Sequence, residues 1–289
     1  MHRYQAKAAS TLEEFLSSAL AGARGTRIKQ LLRFRSVVVN GVAITRGSHP
    51  VKPGDEIVVH FEKRPAPESL PHGLKVIFED EHVLVVEKPP GLLTMASETE
   101  NQRTAYAVLT EYARGQDPEA RVFIVHRLDQ GTSGLLVFAR SEAVKRALQN
   151  GWREVDKNYL AIVEGTPSQA EGTIRRPLKE NRGLEVYEAD DGVPAITHYK
   201  VLKPGKKYSL VEIILETGRK NQIRVHLAGL GHPVAGDRKY GARTDPARRL
   251  ALHAATLSFV HPVRGERLQF SSPLPSRLQA IIGPRKDKK

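Results

Sequence analysis

The stretch His126-Arg127-Leu128-Asp129-Gln130-Gly131-Thr132-Ser133-Gly134-Leu135-Leu136-Val137-Phe138-Ala139 decides how this chain is read. An apolar run, Val122–Val125, enters it and another, Leu135–Ala139, leaves it. Both have the length and composition of core strands. The nine residues between them carry three possible catalytic groups, two glycines and two hydroxyls. Loops displayed between core strands are where function concentrates. A structural alternative is that Asp129 only hydrogen-bonds the backbone of a glycine-rich turn, and local features do not choose between the two. Sharper assignments fail on detail. Gly131-Thr132-Ser133-Gly134 lacks the lysine and spacing of a phosphate-cradling loop, and it does not match the G-x-S-x-G elbow of a serine hydrolase. His126, Asp129 and His226 could meet at a metal, but no helical H-x-x-x-H or Cys-His spacing supports one.

Outward from this loop, short β-like runs dominate: Lys75–Phe78, Val83–Glu87, Tyr159–Val163, Ile196–Val201 and Ser209–Glu216. Helical patterns interrupt them near 102–115, 141–154 and 219–230. The expectation is an α+β domain over 74–282 built on a mixed, largely antiparallel sheet. Residues 63–73 form a semi-rigid linker within Glu62–Gly73, which has three prolines and no periodicity. A basic tail, 283–289, is expected to be disordered from Arg285 on.

The first 62 residues read as a separate small unit. Ser10 or Thr11 can cap a helix, with Glu13 or Glu14 completing a capping box. Leu12, Phe15, Leu16, Ala19 and Leu20 form one apolar face. A second helix turns Ile28, Leu31 and Leu32 inward and leaves Arg24, Arg27, Lys29, Arg33 and Arg35 for solvent. Val37–Val39, the Asn40-Gly41 hairpin turn and Val42–Thr45 follow; Pro53-Gly54-Asp55 then leads into Glu56–Phe61.

Composition bounds the function. At 289 residues the chain is long enough for about two domains and a substantial core. The absence of cysteine excludes disulfides, a thiol nucleophile and Cys-held metals, and fits a reducing compartment. No apolar run approaches the ~18 residues of a membrane span, and Glu13 and Glu14 stand where the apolar core of a signal peptide would begin. A cytoplasmic location is the expectation. Lys plus Arg is 45 against 32 Asp plus Glu, a net charge of +13 that points to a polyanionic partner, most often nucleic acid. Residues 1–65 alone hold 11 basic and 5 acidic residues.

Two short helices with a basic face, followed by a small sheet around Val-Asn-Gly and Pro-Gly-Asp, resemble the alpha-L RNA-binding domain, the type named after ribosomal protein S-four. The loop motif His-Arg-Leu-Asp-x-x-Thr-Ser-Gly-Leu-Leu resembles the signature of the RluA-type pseudouridine synthases. Lys157-Asn158-Tyr159-Leu160-Ala161-Ile162-Val163-Glu164-Gly165 is similar to that family's tyrosine motif. Thr217–Leu227, with Gly231-His232-Pro233 and Gly236-Asp237, is similar to its arginine motif. Glu87-Lys88-Pro89-Pro90-Gly91 and Leu252-His253-Ala254 also look like the family. The matches span most of 75–275. His126, where a sister family has Gly, favours the RluA group. Lys220-Asn221 stands where members often have Thr-His, a departure that bears on the RNA target and not on the chemistry.

The resemblance implies isomerisation of uridine to pseudouridine within RNA, with no cofactor and no metal. The N-glycosidic bond breaks, uracil rotates while held, and C5 rejoins C1′. Asp129 corresponds to the catalytic aspartate, acting either by attack on C1′ or as a base on the ribose. Arg224 corresponds to its ion-pair partner, and Tyr159 to the aromatic under the base that assists loss of the C5 proton. Arg127 corresponds to the side chain that enters the space left by a flipped uridine. Ile223 and Leu227 are expected as apolar walls of the substrate pocket. His126, Thr132 and Ser133 shape the loop, His126 and Thr132 within the pocket, and His253 is read as a core histidine. The partner is RNA: large-subunit ribosomal RNA by family habit, with transfer RNA as the alternative. A non-catalytic RNA-binding or ribosome-assembly factor on the same fold, and a glycosidase of free nucleosides, are the competing classes. A monomer is expected.

Overall fold

The computed structural model describes residues 2–20, 25–33, 36–44, 46–59, 69–96, 100 and 102–283. They fall into two compact units: 1–68 with 109–121, and 69–108 with 122–289. Most of the 63–73 segment and the tail beyond Gly283 lie outside the described residues.

In the first unit, helices α1 (Leu12–Ala19) and α2 (Gly25–Arg33) accompany strands β1 (His2–Gln5), β2 (Ser10–Thr11), β3 (Val37–Val39), β4 (Val42–Ala43), β5 (Pro50–Val51) and β6 (Glu56–Val59). Of the two candidate caps, Thr11 is the one used. Its hydroxyl accepts from the Glu14 amide while the Glu14 carboxylate accepts from the Thr11 amide, so two otherwise orphaned donors are satisfied. The helical face that follows buries Leu12, Leu16 and Leu20 with Phe15 partly covered, against Ile28, Leu31 and Leu32 of α2 and Val37, Val39, Ile57 and Val59 of a sheet ordered β1-β6-β3-β4. Asn40 and Gly41 take φ of 48° and 82°, as a two-residue hairpin turn requires. Asn40 also ties this turn to Asp55 and Glu56 through its side chain. Truncating Leu12 or Leu16, both fully buried, would cost about 2–5 kcal/mol.

The second unit carries β7 (Lys75–Glu79), β8 (Val83–Lys88), β9 (Phe123–Ile124), β10 (Ser133–Ala139), β11 (Asp156–Glu164), β12 (Glu171–Arg175), β13 (Leu178–Glu180), β14 (Val186–Glu188), β15 (Ile196–Lys203), β16 (Tyr208–Leu215), β17 (Leu252–Val260) and β18 (Arg267–Ser271). Its sheet runs β12-β15-β16-β11-β17-β10-β8-β7, with β9 on β10 and β18 on β17. All pairings are antiparallel except β10 with β17, so the α+β, largely antiparallel expectation holds. Helix α3 (Ala105–Arg114), across the division between the units, falls within the helical stretch expected near 102–115. Helices α4 (Glu142–Asn150), α5 (Gln222–Gly229) and α6 (Ser276–Ile282) complete the described set.

Strand β17 is absent from the sequence-based reading. It is buried on nearly every residue and sits between β10 and β11, so it shows no in–out alternation to detect. Strand β10 is buried along all seven residues, and Val83, Val85, Leu135, Val137, Leu257 and Phe259 join Val144 and Leu148 of α4 in one core. The loop 126–132 therefore leads directly into a fully buried strand of this core.

Candidate active site

Two short segments hold the 126–132 loop from beneath. Thr94 accepts from the Leu128 amide and donates to the Leu128 carbonyl, at 3.1 and 2.9 Å. Gly91 donates to the Gln130 carbonyl, and the Gln130 side chain returns a bond to the Gly91 carbonyl. Lys88, completely buried at the end of β8, donates to the carbonyls of Leu92 at 2.7 Å, Pro89 at 3.1 Å and Gln130 at 3.2 Å. Three acceptors use all three donors of the ammonium group, the condition under which burying it is tolerable. Burial nonetheless pushes Lys88 down to about 7; the Asp129 charge opposes this and Arg249 adds to it.

The far side of the loop is set by Gly134. Its φ is +116°, and a Cβ there would fall 2.2 Å from the carbonyl oxygen of Ala254, its partner on β17. A side chain would thus drive apart β10 and β17 where they meet in parallel. Ser133 alongside bonds His253 and Arg249, so the Thr-Ser-Gly half of the motif is a fastening between central strands.

Asp129 faces α5 with its side chain 22% exposed. Arg224 Nη1 lies 3.4 Å from Asp129 Oδ2, although 95 residues separate them. The anchoring of α5 explains why Arg224 faces the loop. Gln222 Nε2 donates to the Ile196 carbonyl and the Thr197 hydroxyl, both at 2.9 Å. One turn on, His226 Nδ1 lies 2.8 Å from the same hydroxyl and Nε2 lies 2.9 Å from the Arg176 carbonyl. Both His226 nitrogens are spent and its ring is fully buried, which removes it as a metal ligand. Burial would lower the pKa of Arg224, but hydrogen bonds and charge from Asp237, reinforced by Asp129, hold it above the usual arginine value.

Tyr159 comes from β11, at the point where its register with β17 shifts. It is buried at 9% exposure, and burial together with the Asp129 charge raises its hydroxyl pKa, so the ring is a neutral phenol at physiological pH. Arg127, Asp129, Thr132, Tyr159, Ile223 and Arg224 all line one cleft. Arg127 is exposed at its edge and Thr132 buried in its wall.

Two expected pocket residues lie elsewhere. His126 accepts the Val137 amide at Nε2 and packs its ring 4.4 Å from that of Trp152. Burial, then Lys157, lowers its pKa to about 3, so it braces the strand behind the loop as a neutral ring. Leu227 is fully buried one turn beyond Ile223, past the end of the cleft, which α5 lines only through its first turn. Of the basic residues assigned to the front unit, Lys29 is exposed on α2, and Arg27 and Arg33 lie on that helix. Arg24 and Arg35 fall outside the described residues. Sequence reasoning gave no role to Lys88, Thr94, Asn221, Asp237 or Arg249. The only signal was that four of them sit inside or beside the family-like motifs.

Residues 82–229 match the RNA pseudouridylate synthase family. The chain is 36% identical over 286 residues to YlyB of Bacillus subtilis, named an uncharacterized RNA pseudouridine synthase, covering 94% of this chain and 92% of that protein. It is 34% identical to a ribosomal large subunit pseudouridine synthase D of Zymomonas mobilis, again over 94% and 92% of the two chains. Among solved structures, human RNA pseudouridylate synthase domain containing 4 superposes with a TM-score of 0.59 at 28% identity, over 70% of this chain and 89% of that one.

Proposed function

Because this chain belongs to the RNA pseudouridylate synthase family, and so is an isomerase acting on RNA, we propose that Asp129 is its catalytic carboxylate and a large-subunit ribosomal RNA uridine its substrate. The observation that carries the first part is the placement of Asp129. It is a mostly covered carboxylate at a cleft wall, faced by one guanidinium and by a buried tyrosine ring, with hydrogen bonds to Thr94 and Gly91 holding the loop backbone on either side of it. The relative named for the ribosomal large subunit supports the second part.

The uridine leaves its stack to reach this cleft, at a cost of roughly a few kcal/mol. Arg127, exposed at the rim, occupies the vacated space. The base lies against the Tyr159 ring, with Ile223 closing the apolar side. The C1′–N1 bond breaks and the C1′–C5 bond forms; C5 gives its proton to solvent and N1 gains one, so the reaction is redox-neutral. Both roles open to Asp129, attack on C1′ and proton abstraction from the ribose, need the ionised carboxylate. Arg224 stands beside it, with Nη1 3.4 Å from Asp129 Oδ2. Tyr159 does not serve as a standing phenolate, since its surroundings favour the neutral hydroxyl. It supports the base and offers a hydrogen bond near C5.

The N-terminal unit is proposed to grip RNA backbone through the basic residues of α2, in the manner of an alpha-L domain, with Lys29 exposed for that contact.

The test is tritium release from ribosomal and transfer RNA transcripts labelled at uridine C5, for the native chain and Asp129→Ala. Release by the native chain alone, from ribosomal RNA, is expected. Release by both proteins would remove Asp129 from the chemistry, and release only from transfer RNA would overturn the target.

A further inference from the structure

Arg224 is held more firmly by a second carboxylate than by Asp129. Its Nε donates to Asp237 Oδ2 at 2.6 Å and its Nη2 to Asp237 Oδ1 at 2.8 Å, a bidentate pair. The Asp237 side chain is 1% exposed. Nη1 donates to Asn221 Oδ1 at 2.9 Å and reaches Asp129 only at 3.4 Å. The ring of Tyr240 covers the guanidinium at 4.9 Å, and the Asn221 amide donates to the Tyr240 hydroxyl at 3.0 Å. The Asp237 carbonyl in turn accepts the Tyr240 amide, so Asp237, Tyr240, Asn221 and Arg224 close a ring of interactions. Asn221 joins it from a left-handed backbone, φ 55°, a conformation asparagine tolerates better than most side chains.

From this geometry we infer that Asp237 is a positioning residue, which holds Arg224 so that one guanidinium nitrogen, and no more, meets Asp129. The inference rests on Asp129 being the catalytic carboxylate. Two physical needs are met at once. RNA brings phosphates to a cleft lined by Arg127, Arg219 and Arg224, and an unrestrained Arg224 guanidinium, with five donors, would be drawn into bidentate phosphate contact. Asp237 occupies the edge that phosphate would take. The same occupation stops Arg224 from closing bidentately on Asp129, which would commit the carboxylate oxygens that must react. The long approach to Asp129 is thus set by the short bonds to Asp237. The side chain of Asn221 is the third restraint on Arg224. Lys220 is engaged elsewhere, with Glu180 and the Leu184 carbonyl.

Asp129 is faced by Lys88 from the end of β8, Tyr159 from β11 and Arg224 from α5, with Arg127 on its own loop. Removing the Asp237 charge leaves Arg224 to act on Asp129 unshared. The experiment is single-turnover tritium release from C5-labelled ribosomal RNA transcript across pH 4–8, with enzyme in excess, for the native chain, Asp237→Asn, Asp237→Glu and Asn221→Gly. For Asp237→Asn the saturating rate is expected to fall tenfold or more at an unchanged half-saturating concentration, with the acid limb displaced to lower pH. Asp237→Glu, which keeps the charge, should retain the native acid limb. Asn221→Gly keeps the backbone conformation while removing the side chain, and should lower the saturating rate at unchanged half-saturation. This arm decides the matter if melting shows Asp237→Asn unfolded. A loss confined to half-saturation, or an acid limb unmoved in Asp237→Asn, overturns the inference. An Asp129→Ala control that still releases tritium overturns the assignment of Asp129 instead, and the two failures are distinct.

Discussion

Ser133 and His253 stand 120 residues apart in the chain and 2.9 Å apart between Oγ and Nδ1. Arg249 Nη2 donates to the same serine oxygen at 2.8 Å, and His253 Nε2 lies 3.2 Å from the Ser272 carbonyl. The bonding pattern assigns the proton to Nε2, so the Ser133 hydroxyl donates to Nδ1 and His253 is neutral. Burial, the main influence on His253, likewise disfavours its charged form. The 126–132 loop is therefore fastened to β17 through a small buried polar network.

Replacing Ser133 by alanine leaves the buried His253 Nδ1 and one Arg249 donor without their partner. The expected cost is about 1–3 kcal/mol. Urea unfolding at neutral pH checks it. A change below about 0.5 kcal/mol would show that the network contributes no stability.

Lys88 gives a pH signature of definite sign. In the unfolded chain a lysine titrates near about 10.4, whereas Lys88 in the fold is pushed down to about 7. Between these values the unfolded state binds the proton and the folded state does not. Stability therefore rises with pH across that window, by about 1.4 kcal/mol per unit from this one group, and the contribution is lost as pH falls toward 7. In Lys88→Met that slope disappears, although the carbonyls of Pro89, Leu92 and Gln130 lose the amine as donor and the variant is less stable for it. Unfolding free energies at pH 7, 8 and 9 for both proteins read the difference in slope directly. Parallel curves would mean that Lys88 stays charged in the fold.

Binding by the N-terminal unit is tested by salt. Alanine at Arg27, Lys29 and Arg33 of α2 should weaken RNA affinity and flatten the log–log salt dependence, by about 0.7–0.9 for each phosphate that α2 no longer neutralises. Filter binding of ribosomal RNA fragments between 50 and 300 mM salt measures it. An unchanged slope would exclude α2 as a backbone-gripping element.

Much of this protein was legible in local pattern. The capping box at Thr11 and Glu14, the Asn40-Gly41 turn, the apolar face of α1 and the strands β8, β10, β11, β15 and β16 all follow from side-chain period and turn chemistry, which act over a few residues. The loop between two core strands was equally plain, and family resemblance, not spacing, paired Asp129 with Arg224. Strand β17 escaped because a strand buried on both faces has no alternation. The hairpin β13–β14 escaped because its three-residue strands are mostly exposed and polar.

The sequence by itself determined which segments are strands and helices around the 126–132 loop, and which residues bring carboxylate, guanidinium and aromatic ring. Periodicity and motif are properties of neighbours along the chain. The tertiary structure alone decided that β10 lies parallel to β17, which makes Gly134 indispensable, and that His126 and Leu227 stand behind the cleft rather than in it. It also decided that Lys88 underpins the loop and that Arg224 belongs first to Asp237. Those relations depend on which distant surfaces pack together. Charge, hydrogen bonding and excluded water act through space, at distances the order of residues does not record.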